Sequence, residues 1–369
     1  MLTPLLPGQP MLPNFLIEYI QRSKLARFVP SKFRPLLRNL VSTTYAERVA
    51  REQAIFAGQV VVHDLPPIFH YWSNTWLRPQ FEALGFSDPD RFFVEYLKRA
   101  IADHPDRPVR FASLGAGNCD TEIRVARALV EAGLDRFTLE CVDINPAMLE
   151  RGRSAAREHG LERQVLPIEG DFNAWRPSGR YEAIMANQSL HHVLALENLF
   201  GAIESALTDD GRFVVSDMIG RNGHMRWPEA MAIVHEYWRE LPPAYRWNVQ
   251  LRRHEELLEY WDCSKEGFEG IRAQDILPLL IERFDFETFY AYGNLIDPFI
   301  DRSFGPHFDA DSADDRALID RIHERDVAEI AAGNIKPTHL IAVLRKRPYE
   351  GPMAHLPGIT PTSSVRVVP

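Results

Sequence analysis

The sequence predicts an α/β fold built on a doubly wound parallel sheet. From residue 109 to residue 217, short apolar runs alternate with segments whose apolar residues recur at helical spacing. A Gly-x-Gly turn joins the first apolar run to the first helical segment, and acidic residues end several later runs. The chain has 369 residues, of which 45% are hydrophobic and 25% charged. This balance is typical of globular proteins, and the length suits one large domain or two ordinary ones.

The glycine turn lies within residues 109–122, which predict a strand, a turn and a helix. Gly115 and Gly117 mark the turn, where a Cβ would keep a ligand away from the backbone. The third glycine of a dinucleotide fingerprint is replaced by Asp120. Because a carboxylate at the mouth of a helix repels a pyrophosphate, the turn favours a ligand that lacks phosphates or carries positive charge.

The other elements follow from periodicity and turn residues. Further strands are expected at 137–143, 164–169, 181–187, 212–217, 284–292 and 338–346. Asp209–Gly211 is expected to be a turn before the fifth of the core strands. Helices are expected over 80–104 and about 316–332.

The sequence predicts five segments along the chain. They are an N-terminal helical region (1–108), the strand–helix core (109–217), a mostly helical insertion (218–283), two closing strands with a helical segment between them (284–346) and a loose, proline-rich tail (347–369). Residues 14–50 are expected to be helical and are locally basic. They form either a surface for an anionic partner or, more simply, a solvated helix face.

Composition excludes several classes of protein. The net charge of −9 argues against a general nucleic-acid binder. The three cysteines show no metal-ligand spacing, which predicts no metal site and favours a reducing compartment. No apolar run approaches the ~20 residues of a membrane span, and the first residues do not resemble a secretion signal. These features favour a cytoplasmic protein.

An aromatic stretch around Phe69–Ser73 has two interpretations. Tyr71 and Trp72 are typical of a lid or pocket wall that stacks on a ligand. The alternative is a helix that packs its aromatic side chains into a core, because both settings use the same residue types.

Polar and aromatic side chains follow the predicted strands at the edge where an open parallel sheet binds its ligand. They are Asp143, Asp171, Phe172, the segment 187–192 and Asp217. An acid after the second strand suits the two hydroxyls of a ribose. An Asp–aromatic pair after the third strand suits a purine. Together they predict an adenosine site.

Five motifs resemble a known family. LGAGN (114–118), VDINPAML (142–149), EGDF (169–172), ANQSLHH (186–192) and GRFVVSD (211–217) are similar to the ordered motifs of class I S-adenosylmethionine-dependent methyltransferases. The resemblance covers about 109–217 and the two closing strands. It implies a Rossmann-like seven-stranded sheet with its last strand antiparallel and helices on both faces. It also implies an N-terminal helical region and helical lid insertions.

The resemblance implies roles for the strand-end residues. Gly115, Ala116 and Gly117 would lie beside the methionine part, Asp143 and Ile144 at the ribose, Asp171 and Phe172 around the adenine, and Asn187 and Gln188 along the cofactor. The cationic sulfonium and ammonium groups of the cofactor suit nearby acids. The alternatives are that Asp143 caps the next helix and that Asp171 serves a turn. The product would be S-adenosyl-L-homocysteine.

Methyl transfer by direct displacement requires alignment of the acceptor, and a hydroxyl acceptor also requires loss of a proton. His191 and His192 are the candidate catalytic bases, since a histidine titrates near neutral pH. Their alternative role is to pack or to hydrogen-bond the loop. Further candidates are His224, His235, Asp217 and Glu229.

The resemblance further implies that the long insertions enclose a small-molecule or glycan-like acceptor. Its binding residues are expected to be Tyr71, Trp72, His192 and His224. Methylation at an O, N or C atom is left open, as is a homodimer, and a nucleic-acid acceptor is disfavoured.

Two other functions remain open. One is a catalytically inactive methyltransferase-like scaffold or partner subunit. The other, which the missing third glycine disfavours, is a nicotinamide-dependent dehydrogenase.

Overall fold

A computed structural model of the chain describes residues 45–57, 65–259, 262–265 and 267–367. The chain divides into two compact units, residues 1–51 and 52–369. The first unit is described only from residue 45, so most of the basic segment 14–50 lies outside the described residues. The elements below belong to the second unit, except for the beginning of the first helix.

Ten strands are present in the described residues. They are β1 Val109–Leu114, β2 Phe137–Asp143, β3 Val165–Glu169, β4 Tyr181–Asn187, β5 Leu207–Met218, β6 Trp247–Asn248, β7 Arg253–His254, β8 Asp285–Tyr292, β9 His339–Arg345 and β10 Ala354–His355. Eight form one sheet in the order β10-β8-β9-β5-β4-β1-β2-β3, and β6 and β7 form a separate hairpin. β1 to β5 are mutually parallel, whereas β9 runs antiparallel to β5 and β8.

The helices surround this sheet. They are α1 Tyr45–Ala57, α2 Pro67–Trp72, α3 Arg78–Ala83, α4 Pro89–Ala102, α5 Asp120–Glu131, α6 Pro146–Glu158, α7 Leu196–Ala206, α8 Pro228–Glu240, α9 Ala273–Arg283, α10 Asp297–Ile300, α11 Ala313–Ala331 and α12 Pro361–Ser364. A π-helical segment, Ser73–Leu77, joins α2 to α3. No helix in the described part of the chain is long and apolar enough to cross a membrane.

Both faces of the sheet are covered, as expected for a doubly wound fold. Successive residues of β1 point to opposite sides, so Phe111 joins one apolar cluster while Ala112 and Leu114 join another. The first cluster includes the buried face of α4 and α5, and the second includes α7 and α9. The structure therefore confirms the predicted Rossmann-like architecture.

The predicted number of seven strands in the sheet is wrong, because β10 adds an eighth. Ala354 and His355 pair in parallel with Thr288 and Phe289 at the edge of the sheet. A two-residue strand has no detectable alternation, so periodicity could not predict it. The tail is also less loose than expected, because Thr360 and Ser363 form a capping box at α12.

Three other element boundaries differ from the prediction. β5 begins at Leu207 and includes the expected turn at Asp209–Gly211, because Leu207 pairs with Tyr181 before a register shift. The helix expected over 80–104 is interrupted before Pro89, where Asp88 accepts a hydrogen bond from the Arg91 amide as an N-cap. The helix expected over about 316–332 begins earlier, at Ala313, where the Ser312 side chain caps it.

One buried carboxyl group joins α11 to the loop after β8. Asp326 Oδ2 accepts hydrogen bonds from the amides of Asn294 and Ile296, at 2.8 and 3.4 Å. Its Oδ1 is buried without a hydrogen-bond partner among the described residues. Burial, together with the nearby Asp297, raises the pKa of Asp326 to about 7.

We expect Asp326→Asn to change how stability depends on pH. The unfolded carboxyl loses its proton near pH 3.8, whereas the folded one keeps it to about pH 7. Folding therefore takes up a proton in this window, and the wild-type free energy of unfolding falls by up to ~1.4 kcal/mol per pH unit as the pH rises. In urea unfolding, the free energy of unfolding of the variant minus that of the wild type should increase up to about pH 7 and stay constant above it. A difference in free energy of unfolding that does not change with pH would contradict the raised pKa of Asp326.

Candidate functional site

The glycine turn lies between β1 and α5, in a conformation that requires glycine. Gly115 and Gly117 have φ values of +75° and +54°, which side chains rarely adopt. A Cβ on Gly115 would also lie 2.4 Å from the Cβ of Ser189. The turn therefore approaches the segment after β4 more closely than any side chain would allow.

Asp143 ends β2 beside this turn. Its Oδ2 accepts a hydrogen bond from the Gly117 amide and its Oδ1 from the Asn145 amide, both at 2.8 Å. The Asn145 side chain, not Asp143, caps α6. Each carboxylate oxygen can accept two hydrogen bonds, so each Asp143 oxygen can accept another from a ligand hydroxyl. Burial raises the pKa of Asp143, and the two amides oppose this shift.

The other predicted cofactor residues lie along the same edge of the sheet. Asp171 accepts a hydrogen bond from the Asn173 amide at 2.9 Å, so the turn role that was its alternative is present. The Phe172 ring would lie 3.7 Å from a Cβ on Gly115. Asn187 donates to Thr121, and the exposed Gln188 has a φ of +52°. Ala116 and Ile144 are half-buried. Cofactor binding by these residues remains a prediction.

Three histidines meet one glutamate beside this edge, in a group that we call the histidine cluster: His191, His192, His224 and Glu269. Glu269 Oε1 lies 3.4 Å from His191 Nε2 and 2.5 Å from His224 Nε2. Its Oε2 lies 3.3 Å from His192 Nε2. The structure thus brings together three histidines that the sequence singled out separately.

Two further carboxylates flank the cluster. Asp217, which is fully buried at the end of β5, lies 2.6 Å from His191 Nδ1. It also accepts hydrogen bonds from three backbone amides, those of Ser189, Leu190 and Met218. On the other side, Glu52 of α1 lies 2.7 Å from His192 Nδ1. Both adjacent histidines therefore lie between two carboxylates.

The charges of the cluster shift its pKa values. Burial alone would lower the pKa of His191, but Asp217 and Glu269 raise it to about 10. Burial lowers the pKa of His224, although Glu269 opposes this shift. Burial would raise the pKa of Glu269, but the histidines hold it far below its ordinary value. The two carboxylates therefore favour the protonated form of His191, whose Nδ1 and Nε2 face Asp217 and Glu269.

Close backbone contacts hold the loops of the cluster together. The Gly223 amide donates to the Gly270 carbonyl at 2.9 Å, and a Cβ on Gly270 would lie 2.9 Å from the Gly223 nitrogen. The Ile271 amide donates to the His191 carbonyl at 3.0 Å. The buried Arg226 donates to the His224 carbonyl at 3.1 Å, which fixes that turn. Glu269 therefore has a defined position between the histidines.

The histidine cluster lies next to the predicted cofactor edge. His192 and Glu52 both act electrostatically on the Asp143 carboxyl. The neighbouring Gln53 donates a hydrogen bond to the Ile144 carbonyl at 2.9 Å. Glu52 and Gln53 therefore contact the histidine cluster and the residue after Asp143, respectively.

Tyr71 and Trp72, the predicted acceptor-binding residues of the aromatic stretch, contact α11. The Tyr71 hydroxyl donates to Asp320 at 2.8 Å, and Trp72 Nε1 donates to His323 at 3.1 Å. Trp72 is only 2% exposed. These contacts match the alternative of core packing, and binding of an acceptor by Tyr71 or Trp72 remains untested.

Two other candidates from the sequence have partners outside the cluster. His235 contacts the Leu258 carbonyl, and Glu229 pairs with Arg366. The sequence analysis missed Glu269 and Glu52. The signal available for Glu269 was its place between two glycines, Gly267 and Gly270.

The chain has sequence similarity to known proteins. A family model described as a methyltransferase domain matches residues 97–277. Polyketide synthase 19 of Gibberella fujikuroi is 28% identical over 144 residues, which are 38% of this chain and 6% of that protein. The chain therefore spans a small part of this curated relative.

Two solved structures are also similar. One is the O-methyltransferase from a trans-AT PKS multienzyme of Brevibacillus brevis, in complex with S-adenosyl-L-homocysteine. It is 15% identical, covers 79% of this chain and 82% of its own, and has a TM-score of 0.40. The other is the CcbJ methyltransferase of Streptomyces caelestis, with 23% identity, coverage of 38% and 52%, and a TM-score of 0.30.

The family match covers the strands and loops that carry the five motifs. The chain therefore contains a methyltransferase domain, and its fold and motifs are consistent with the class I S-adenosylmethionine-dependent methyltransferases.

Proposed function

We propose that this protein transfers the methyl group of S-adenosyl-L-methionine to a hydroxyl oxygen of a small-molecule acceptor. The main observation behind the proposal is the position of the histidine cluster. Two carboxylates flank the cluster, and it lies beside Asp143, the last residue of β2. A hydroxyl oxygen must lose a proton during transfer, and a histidine next to a carboxylate suits that step.

The residues at the sheet edge fit the cofactor. Gly115 and Gly117 allow the left-handed backbone of the turn, and Asp143 offers two oxygens to the ribose hydroxyls. The Phe172 ring lies near Gly115, where it would contact the adenine side. When bound, the cofactor supplies a methyl group on a sulfonium. Its positive charge suits the carboxylates of Asp143 and Glu52.

We assign the role of general base to His192 rather than to His191. The His192 side chain is 15% exposed, against 5% for His191. His192 Nδ1 lies 2.7 Å from Glu52 Oε1, so Nε2 is the ring nitrogen that remains to accept a proton. This atom would accept the proton of an acceptor hydroxyl placed beside Glu269.

The remaining members of the cluster have positioning roles in this proposal. His191 donates to Asp217 and Glu269, and so holds Glu269 against His192. His224 approaches Glu269 from the opposite loop. Preorganised hydrogen bonds of this kind lower the cost of aligning an acceptor with the methyl carbon.

We propose the acceptor class from the elements around the cluster. Glu269 and His224 come from the segment after β5, which covers one side of the cluster and favours a small molecule over a polymer. The similarity to a polyketide synthase makes polyketide and phenolic hydroxyls the first compounds to test. A glycan-like acceptor is the second class, and an inactive scaffold is the alternative to an enzyme.

We predict that Asp143→Ala weakens binding of S-adenosyl-L-homocysteine by about 1–3 kcal/mol, because hydrogen bonds to a charged group are lost. Isothermal titration calorimetry measures the change directly. Asp210→Ala is the matched control, because this aspartate is 79% exposed at the other end of the sheet. Equal affinities of Asp143→Ala and the wild type would remove the ribose assignment.

We predict that His192→Gln lowers kcat for a hydroxyl acceptor by about 10²–10⁴-fold, the usual contribution of a general base. The affinity for S-adenosyl-L-homocysteine should change little. Transfer of labelled methyl groups to a panel of polyketide and phenolic hydroxyl compounds gives the rates. His254→Gln is the control, because His254 is exposed and contacts the Pro243 carbonyl.

Two results would contradict this proposal. One is wild-type turnover in His192→Gln, which would leave this histidine a structural role. The other is binding of the cofactor without methylation of any hydroxyl compound, which would favour the scaffold.

A further inference from the structure

We infer that His191, His224 and Glu269 form a binding site for a divalent first-row transition-metal cation. Cysteine spacing alone predicts no metal site, but it carries no information on histidine and carboxylate ligands. The binding step stands on the geometry of these three residues. Any part that the cation plays in methyl transfer rests on the proposed function.

The three side chains offer ligand atoms at nearly the required spacing. One nitrogen from each histidine and one Glu269 oxygen all lie within 4.8 Å of one another. Ligands placed about 2.0–2.2 Å from a tetrahedral ion lie about 3.3–3.6 Å apart. The distance of 3.4 Å from His191 Nε2 to Glu269 Oε1 already has this value. His224 Nε2, at 2.5 Å, would move outward by about 1 Å to make room for the ion.

The surroundings of His191 resemble the second shell of a metal site. A histidine that binds a metal through one nitrogen usually donates its other N–H to a carboxylate or carbonyl. His191 Nδ1 lies 2.6 Å from Asp217, which three backbone amides hold in place. When the ion binds, it takes the place of the proton on Nε2, the nitrogen that faces Glu269, and Nε2 becomes the metal ligand.

Neighbouring residues also fix the positions of the other two ligands, Glu269 and His224. Glu269 Oε2 faces His192, whereas Oε1 faces His191 and His224. Oε1 is therefore the oxygen that would bind the ion. Arg226 fixes the His224 carbonyl, and the contact of Gly223 with Gly270 joins the two loops. The ligands therefore need little rearrangement to bind.

The ligand set indicates the class of cation. Two imidazole nitrogens and one carboxylate suit Zn²⁺, Co²⁺ or Fe²⁺, whereas Mg²⁺ and Ca²⁺ prefer oxygen ligands. Three protein ligands leave a position open for water or another oxygen ligand. A hydroxyl bound there would have a lowered pKa and would lie beside His192, the proposed base.

The test measures metal binding to the full chain without cofactor or acceptor. Protein dialysed against EDTA, and then against buffer, is titrated with Zn²⁺ by calorimetry. It is also titrated with Co²⁺, whose visible spectrum reports nitrogen ligation. We expect one ion per chain and a loss of affinity of at least 10²-fold in Glu269→Gln and in His224→Ala. Glu256→Gln and His254→Ala, which change exposed residues outside the cluster, should bind as the wild type does.

Either of two results would overturn the inference. The wild type could take up no Zn²⁺ or Co²⁺, or Glu269→Gln could bind them as tightly as the wild type does. Thermal unfolding and binding of S-adenosyl-L-homocysteine verify that each variant is folded. The two proposals fail separately. Metal binding without cofactor binding would contradict the proposed function alone, and cofactor binding without metal uptake would contradict this inference alone.

Discussion

The buried carboxylate of Asp217 is the interaction on which the rest of the site depends. It ends β5, binds His191 Nδ1 and accepts the amides of Ser189 and Leu190. Ser189 in turn donates its hydroxyl to the Leu114 carbonyl and lies against Gly115. The Asp217 carboxylate thus connects the histidine cluster to the glycine turn. Burying this charge without these donors would cost free energy, so the donors must stay in place.

The core strands and the cofactor edge could be predicted because their signals are local. The strand predicted at 137–143 is Phe137–Asp143, and the one at 181–187 is Tyr181–Asn187. The positive φ of Gly115 and Gly117 follows from residue type. The eighth strand, β10, could not be predicted, because two residues carry no periodicity.

The remainder of the site depends on contacts between distant segments. Glu269 lies beside His224 where Gly223 and Gly270 join two loops, and beside His191 where the Ile271 amide donates to the His191 carbonyl. No local sequence pattern records these contacts. Tyr71 and Trp72 had the composition of a pocket wall, but their partners Asp320 and His323 lie about 250 positions away. Local sequence patterns therefore indicate candidate residues, whereas the tertiary fold determines which of them are in contact.

The central claim is that the cofactor edge and the histidine cluster are parts of one site. Nitrogen-15 NMR of the histidine side chains, with and without S-adenosyl-L-homocysteine, tests it most directly. The account predicts that the His192 and His191 signals shift on binding, while those of the exposed His254 and of His323 beside Trp72 do not. Binding that leaves the His191 and His192 signals unchanged, or that shifts His323 instead, would contradict it.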